Sequence, residues 1–265
     1  MLKTLTALVF LAAACGSAPP ADADPTAPEE RSGAVVAVLD GDSVRVAVDG
    51  VTTEVRLLGI NAPEIDECWA NEARSALQNL LEEEITLVED GADQFGRTLA
   101  HLYSGGRHIN LALVEEGAAI ALATAQPAFA SAEQAAFEDR VGLWSPTACG
   151  PETPLEVFIE HVSFDAPGPD DEYPNGEFVV VSNEGPDADL GGWWIRDESS
   201  THRFRFPDGF VLVAGGLVII RSGCGQDGDS DLYWCANGPV WNNDGDMVLL
   251  LDTYGNVVDR WRYAG

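Results

Sequence analysis

Apolar and polar residues alternate along the first half of the chain in a way that predicts strands. Val35, Val36 and Val38 lead into Asp40-Gly41-Asp42. Val44, Val46 and Val48 then recur at every second position, and Asp49-Gly50 marks a tight turn before the run from Val51 to Leu58. Three successive antiparallel strands follow from this pattern. Trp69, Ala73, Ala76, Leu77, Leu80 and Leu81 recur at helical spacing instead, which predicts an amphipathic helix. Ile85–Val88 and Thr98–Tyr103 read as two more strands, and Ile109–Glu116 and Ala130–Val141 as helices, the last ending at Gly142 and Pro146. Five strands with helices on one side suit a small five-stranded barrel of the OB type.

Helical spacing disappears after Leu155. Short β-rich runs follow, namely Val157–Val162, Phe178–Ser182, Trp193–Ile195, Phe204–Phe206, Leu217–Arg221, Met247–Leu251 and Val257–Tyr263. Gly, Asn and Asp turns separate them, which predicts an immunoglobulin-like β-sandwich. The fold class is therefore mainly β with some α, in two domains, 34–149 and 150–265, that meet at Gly150-Pro151 without a long linker.

The N-terminal residues read differently. Lys3, the only lysine, precedes an apolar run from Leu5 to Ala14 that is too short to span a bilayer. Ala12-Ala13-Ala14-Cys15-Gly16-Ser17 resembles a bacterial lipoprotein signal (residues 1–15), with Cys15 as the lipidated residue, although Ala12 stands where such signals usually carry a branched aliphatic side chain. Ordinary secretion with nearby cleavage is the alternative, and both imply export. Residues 16–33, rich in Pro, Ala and acid, read as a disordered tether. The expected location is extracytoplasmic, lipid-anchored or secreted, with the lipid as the only membrane contact and the protein a monomer.

Charge changes the picture of partners. The net charge is −30, with six basic against nineteen acidic residues over 34–149 and six against twenty-one over 150–265. Counterion release at a nucleic-acid backbone needs a basic face, and this composition offers none. Any such site has to be local, and the general acidity fits solubility in a salty setting. Besides Cys15 the chain holds Cys68, Cys149, Cys224 and Cys235. Three pairings are open, of which Cys68–Cys149 and Cys224–Cys235, each within one domain, is the simplest.

Hydrolysis of a phosphodiester without a covalent step needs a base for water, positive charge for the phosphorane and help for the leaving group. VRLLGINAPE places Arg56 and Glu64 around a turn at Pro63, DQFGR adds Arg97 before a strand, and LDGDS adds Asp40 and Asp42 as hard oxygen donors suited to calcium. Taken alone, such an arginine is a surface charge and Asp-Gly-Asp a hairpin turn. Together with INLALVEEGAA and GLWSP they run in an order that resembles the staphylococcal-nuclease-like (thermonuclease) family over about residues 34–146. That resemblance implies an OB fold and a calcium-dependent nuclease acting on DNA, RNA or both. It makes Arg56 and Arg97 phosphate-gripping catalytic arginines, Glu64 the general base and Asp42 a calcium carboxylate.

Departures from the pattern matter too. Asn61 stands at the second calcium carboxylate and Ala62 offers only its backbone carbonyl, which lowers the ligand charge and so the affinity for Ca2+. Asp66 and Glu67 lie close in sequence and either compensate or are solvated. Gln94 and Phe95 replace a lysine and a tyrosine of the family, and no tyrosine pair follows Ala118.

In the second half, GGWWIRDESSTHRFRFPDGFVLVAGG and WNNDGDMVLLLDTYGNVVDRWRY resemble the lamin-tail domain over about 155–263, which implies a binding or targeting role toward an unspecified cell-surface ligand. Asp227, Asp229 and Asp231 alternate like the start of a calcium loop but lack its Gly and distal acid, so an acidic surface loop closed by Cys224–Cys235 is expected. Alternation along strands buries most of Trp193, Trp194, Trp234, Trp241 and Trp261. His101, His108, His161 and His202 show no metal-ligand spacing. The competing functional reading is a non-catalytic surface adhesion or binding protein in which both domains serve as interaction modules.

Overall fold

A computed structural model describes residues 30–170, 172–199 and 201–265. The lipoprotein signal, Cys15 and residues 16–29 of the expected tether lie outside the described residues. Five strands close a barrel: β1 (Glu30–Val38), β2 (Ser43–Val48), β3 (Val51–Leu57), β4 (Glu84–Ala92) and β5 (Thr98–Ser104). Their order is β3-β2-β1-β4-β5, and a parallel pairing of β3 with β5 completes the ring. Strand β1 begins at Glu30, so residues 30–33 belong to the barrel and not to the tether. Gly33 permits this, because a side chain there would run into Val46 and Val48.

Three helices fill the gaps: α1 (Ala70–Leu80), α2 (Ile109–Glu115) and α3 (Pro127–Glu138). Val44, Val46, Val55, Leu57, Leu87 and Leu102 from the strands pack against Leu77 of α1, Leu113 of α2 and Phe129 of α3 in one core. A side chain of Val44 size contributes about 1.5–3 kcal/mol when fully buried, so this core is the main support of the barrel.

The second domain is a sandwich. One sheet holds β6 (Val157–Ser163), β7 (Phe178–Asn183), β10 (Leu217–Arg221) and β11 (Asp231–Tyr233). The other holds β8 (Trp194–Arg196), β9 (Arg203–Arg205), β12 (Gly245–Leu251) and β13 (Val257–Ala264). Trp193 and Trp241 are buried between the sheets, while Trp194, Trp234 and Trp261 are half-buried. Part of the expected acidic loop is in fact the strand β11, which pairs parallel with β10. There Asp231 pairs with Arg221 at 2.9 Å, and Asp227 accepts the Tyr233 amide at 2.9 Å. These contacts give two of the three aspartates structural work. Both disulfides, Cys68–Cys149 and Cys224–Cys235, are present. They point to an oxidising, extracytoplasmic setting, and none of the described helices is long and apolar enough to cross a membrane.

The domains share buried surface. Ile120, Ala136, Leu143 and Trp144 of the first pack on Met247, Leu249 and Val257 of the second. Within this contact Glu133 of α3 is wholly buried and pairs with Arg260 at 2.8 Å and Arg262 at 2.9 Å. Its Oε2 also accepts the Ala121 amide at 2.8 Å.

Candidate active site

Barrel closure assembles the candidate residues. Ser43 of β2 lies opposite Arg56 of β3, which holds the Asp40–Asp42 turn beside Arg56. Val55 of β3 pairs with Thr98 of β5, which brings Arg97 next to the same point. Directly after the two-residue turn Leu58-Gly59 that ends β3, Ile60–Asn61 bridges to Ile120–Ala121 and aims Asn61 inward. Gly41 lets the turn sit tightly: a Cβ there would lie 2.6 Å from Ala62 Cβ and 2.7 Å from Ala73 Cβ. The result is one cleft of about 300 Å³ lined by Asp40, Asp42, Arg56, Asn61, Ala62, Glu64 and Arg97. The candidate catalytic residues and metal ligands of the barrel are all in it, except Asp66 and Glu67, the two offered as compensating ligands, which do not line it.

Asp42 is the anchor. Its Oδ2 accepts the Ala62 amide at 2.6 Å and contacts Arg56 at 2.7 Å, and its Oδ1 accepts the Ser43 hydroxyl at 3.1 Å. Asp40 accepts the Asp42 amide at 3.0 Å and shapes the turn. Burial pushes the Asp42 carboxyl up to about 6, even against the pull of Arg56. The second terminal nitrogen of Arg56 donates to Asn61 Oδ1 at 2.7 Å. Arg97 is held by its Nε alone, on Asp93 at 2.7 Å, so its two terminal nitrogens have no protein partner among the described residues. Its guanidinium lies 5.7 Å from the centre of the Phe95 ring, the position without the family's hydroxyl. Glu64 is exposed, and its carboxylate makes no hydrogen bond or ion pair with the described residues.

A divalent cation fits the donor types here. Asp42 and Asp40 carboxylates, the Asn61 amide oxygen and the Ala62 carbonyl are all hard oxygen ligands. Burial raises the Asp42 carboxyl despite Arg56 beside it, and a bound cation would offset that burial. The set is poor in charge for calcium, since Asn61 is neutral. Among the described residues no three acidic, His or Cys groups cluster as a metal site. Glu67 is neither a compensating ligand nor solvated: it accepts the Glu64 amide at 2.7 Å and pairs with Arg203 of β9 at 2.8 Å.

Two cleft residues come from the second domain. Ser199 and Thr201, on the hairpin between β8 and β9, line the same cleft. Sequence reasoning missed them, because RDESSTHRF is a polar hairpin by pattern and no local signal ties it to the barrel. Three of the four histidines make polar contacts, His101 and His108 facing each other at 3.1 Å and His202 contacting Asp197 at 3.0 Å, while the His161 ring lies 6.0 Å from that of Phe178.

Comparison with known proteins agrees with this geometry. Residues 54–146 match the model for staphylococcal nuclease homologues, and residues 151–265 match the Lamin Tail Domain. Protein ParB of Escherichia coli is 36% identical over 130 residues, covering 44% of this chain and 73% of that protein. A micrococcal nuclease of Shigella flexneri is 37% identical over 127 residues, covering 43% and 73%. An uncharacterised endonuclease of Haemophilus influenzae is 31% identical over 121 residues, covering 44% and 68%. Barrel, cleft and relatives together define the class as nuclease. The chain belongs to the staphylococcal nuclease homologues and carries a lamin-tail domain behind the nuclease segment.

Proposed function

We propose that this protein is a calcium-dependent nuclease that works outside the cytoplasm and hydrolyses phosphodiester bonds of DNA, RNA or both. The observation that carries the reading is the gathering of Arg56, Arg97 and Glu64 around one cleft floored by Asp42. In it Glu64 takes a proton from water, its exposed carboxylate being free to do so. Arg97 grips a non-bridging phosphate oxygen with its open terminal nitrogens, and Arg56 offers charge from the cleft wall. Asp42, Asp40, Asn61 and the Ala62 carbonyl would hold calcium, which supplies positive charge beside the phosphate. Cys15, if lipidated, ties the enzyme to a membrane, and the lamin-tail domain adds a binding or targeting function.

A second reading has one observation in its favour. Arg56 is engaged by Asp42 and Asn61 and not presented freely, as suits a barrel that binds polyanion without cutting it. Full-length protein incubated with DNA and with RNA, in excess calcium and in excess chelator, separates the two. Cleavage in calcium that stops with chelator is expected, at millimolar rather than micromolar calcium because the site is poor in charge. Binding of either polymer without cleavage under any condition supports the second reading.

A further inference from the structure

Among the described residues the second domain lines the cleft through the hairpin between β8 and β9. Three of the contacts that fasten it to the barrel matter here. The Glu198 carbonyl accepts the Asn61 side-chain amide at 3.0 Å, and the Glu198 carboxyl accepts the Ala123 amide at 2.8 Å. The third is the pair between Arg203 and Glu67 Oε1 at 2.8 Å, with Arg196 Nε 3.9 Å from the same oxygen.

This third contact bears on Glu64. The other Glu67 oxygen, Oε2, accepts the Glu64 amide at 2.7 Å, and the Glu67 amide donates to the Glu64 carbonyl at 2.8 Å. One carboxylate is therefore shared between the turn that carries the base and the hairpin of the other domain. Packing holds only the entry to that turn, where Ala62 and Pro63 are buried: Ile65 is 83% exposed, and Glu64 and Asp66 are exposed as well. The Glu67 side chain, in contrast, is only 13% exposed, so its ion pair is better shielded from solvent than a surface pair. The Arg196 guanidinium, driven down by burial, is pulled back by Glu67 and more weakly by Glu64, which places all three in one local field.

The geometry points to Arg203 as a positioning residue for Glu64, acting through Glu67, so that the lamin-tail domain is a working part of the nuclease site. The inference rests on the nuclease reading above. A general base has to stay within hydrogen-bond reach of its water, and a displacement of about 1 Å costs up to about 100-fold in rate. Buried Pro63 and the Cys68–Cys149 disulfide fix the two ends of the segment, but between them Glu64 to Asp66 are exposed, and the Glu67 carboxylate is what ties the Glu64 amide down.

The test uses the full chain as wild type, Arg203→Ala, Arg203→Lys and Glu67→Gln. Arg203→Ala and Glu67→Gln lower kcat by about 10- to 100-fold with KM unchanged, read at a temperature where each variant is folded; Glu67→Gln also lowers the thermal midpoint, because Arg196 and Arg203 lose their carboxylate. Arg203→Lys recovers most of the loss, because it restores the charge on Glu67. In parallel, hydrogen exchange over residues 64–67 speeds up in Arg203→Ala, while exchange in β2 and β3 does not change. Wild-type kcat in Arg203→Ala, or unchanged exchange over 64–67, overturns the positioning role. An inactive wild type in which the exchange effect is still seen supports the clamp and overturns the nuclease reading instead.

Discussion

The arginine–carboxylate cluster at the domain interface and the one in the cleft are built from the same residue types but differ in how far they are satisfied. At the interface Glu133 is wholly buried, and two guanidiniums and a backbone amide satisfy its oxygens. In the cleft Asp42 is nearly as buried and is held by Arg56, Ser43 and the Ala62 amide. There the positive charge falls short: burial leaves Asp42 pushed up to about 6. Beside it Glu64 and the ends of Arg97 stand open. The interface cluster is closed and complete, and the cleft cluster is open and short of positive charge. Closure, more than residue type, thus separates an ion cluster that holds a fold from one that meets a ligand.

That contrast can be broken from the interface side first. Glu133→Gln leaves Arg260 and Arg262 in place without their carboxylate, and it lowers unfolding free energy by about 3–5 kcal/mol. Denaturant melts read this directly, and a midpoint equal to wild type would contradict the structural role. Gly41→Ala has a smaller effect on stability but acts on the cleft. Its Cβ meets Ala62 and Ala73, overpacking costs about 1–3 kcal/mol, and Asp42 is pushed off the Ala62 amide. Both the melting temperature and the cleavage rate fall; full cleavage with a lowered melting temperature would detach the turn from the site.

The smallest effect lies away from both clusters. Burial, and then His101, hold His108 down at about 4 against an ordinary 6.5. Below 6.5 the unfolded chain takes a proton that the folded chain refuses, so stability falls as pH drops from 6.5 toward 4 and then levels. His108→Asn flattens part of that decline. Equal slopes in wild type and variant, measured by denaturant midpoints across this range, would remove His108 from the account.

Much of the fold was legible because strands and helices carry distinct periods. The alternating valines at 44, 46 and 48 became β2, and the Trp69–Leu81 spacing became α1. Elements without an apolar period were not legible. Glu30–Gly33 reads as linker because ERSG carries no apolar period, and Arg31 pairs with the charged Asp49 and Glu89. The Asp231–Tyr233 strand hides in an acidic run because it is only three residues long and pairs parallel with β10, so no hairpin turn marks it. In the cleft, Arg56, Glu64, Arg97 and Asp42 were recognisable from ordered motifs. The contributions of Glu67, Ser199 and Thr201 were not, since they depend on how two domains meet, and no local pattern encodes that.

The central claim is that Glu64 is the base of a phosphodiesterase, and the most direct measurement of it compares Glu64→Gln with wild type on one DNA substrate in saturating calcium. The substitution keeps size and removes the proton acceptor. The account predicts a loss in kcat of about 10²- to 10⁴-fold, with substrate binding and melting temperature preserved. Equal rates in the two proteins would contradict it.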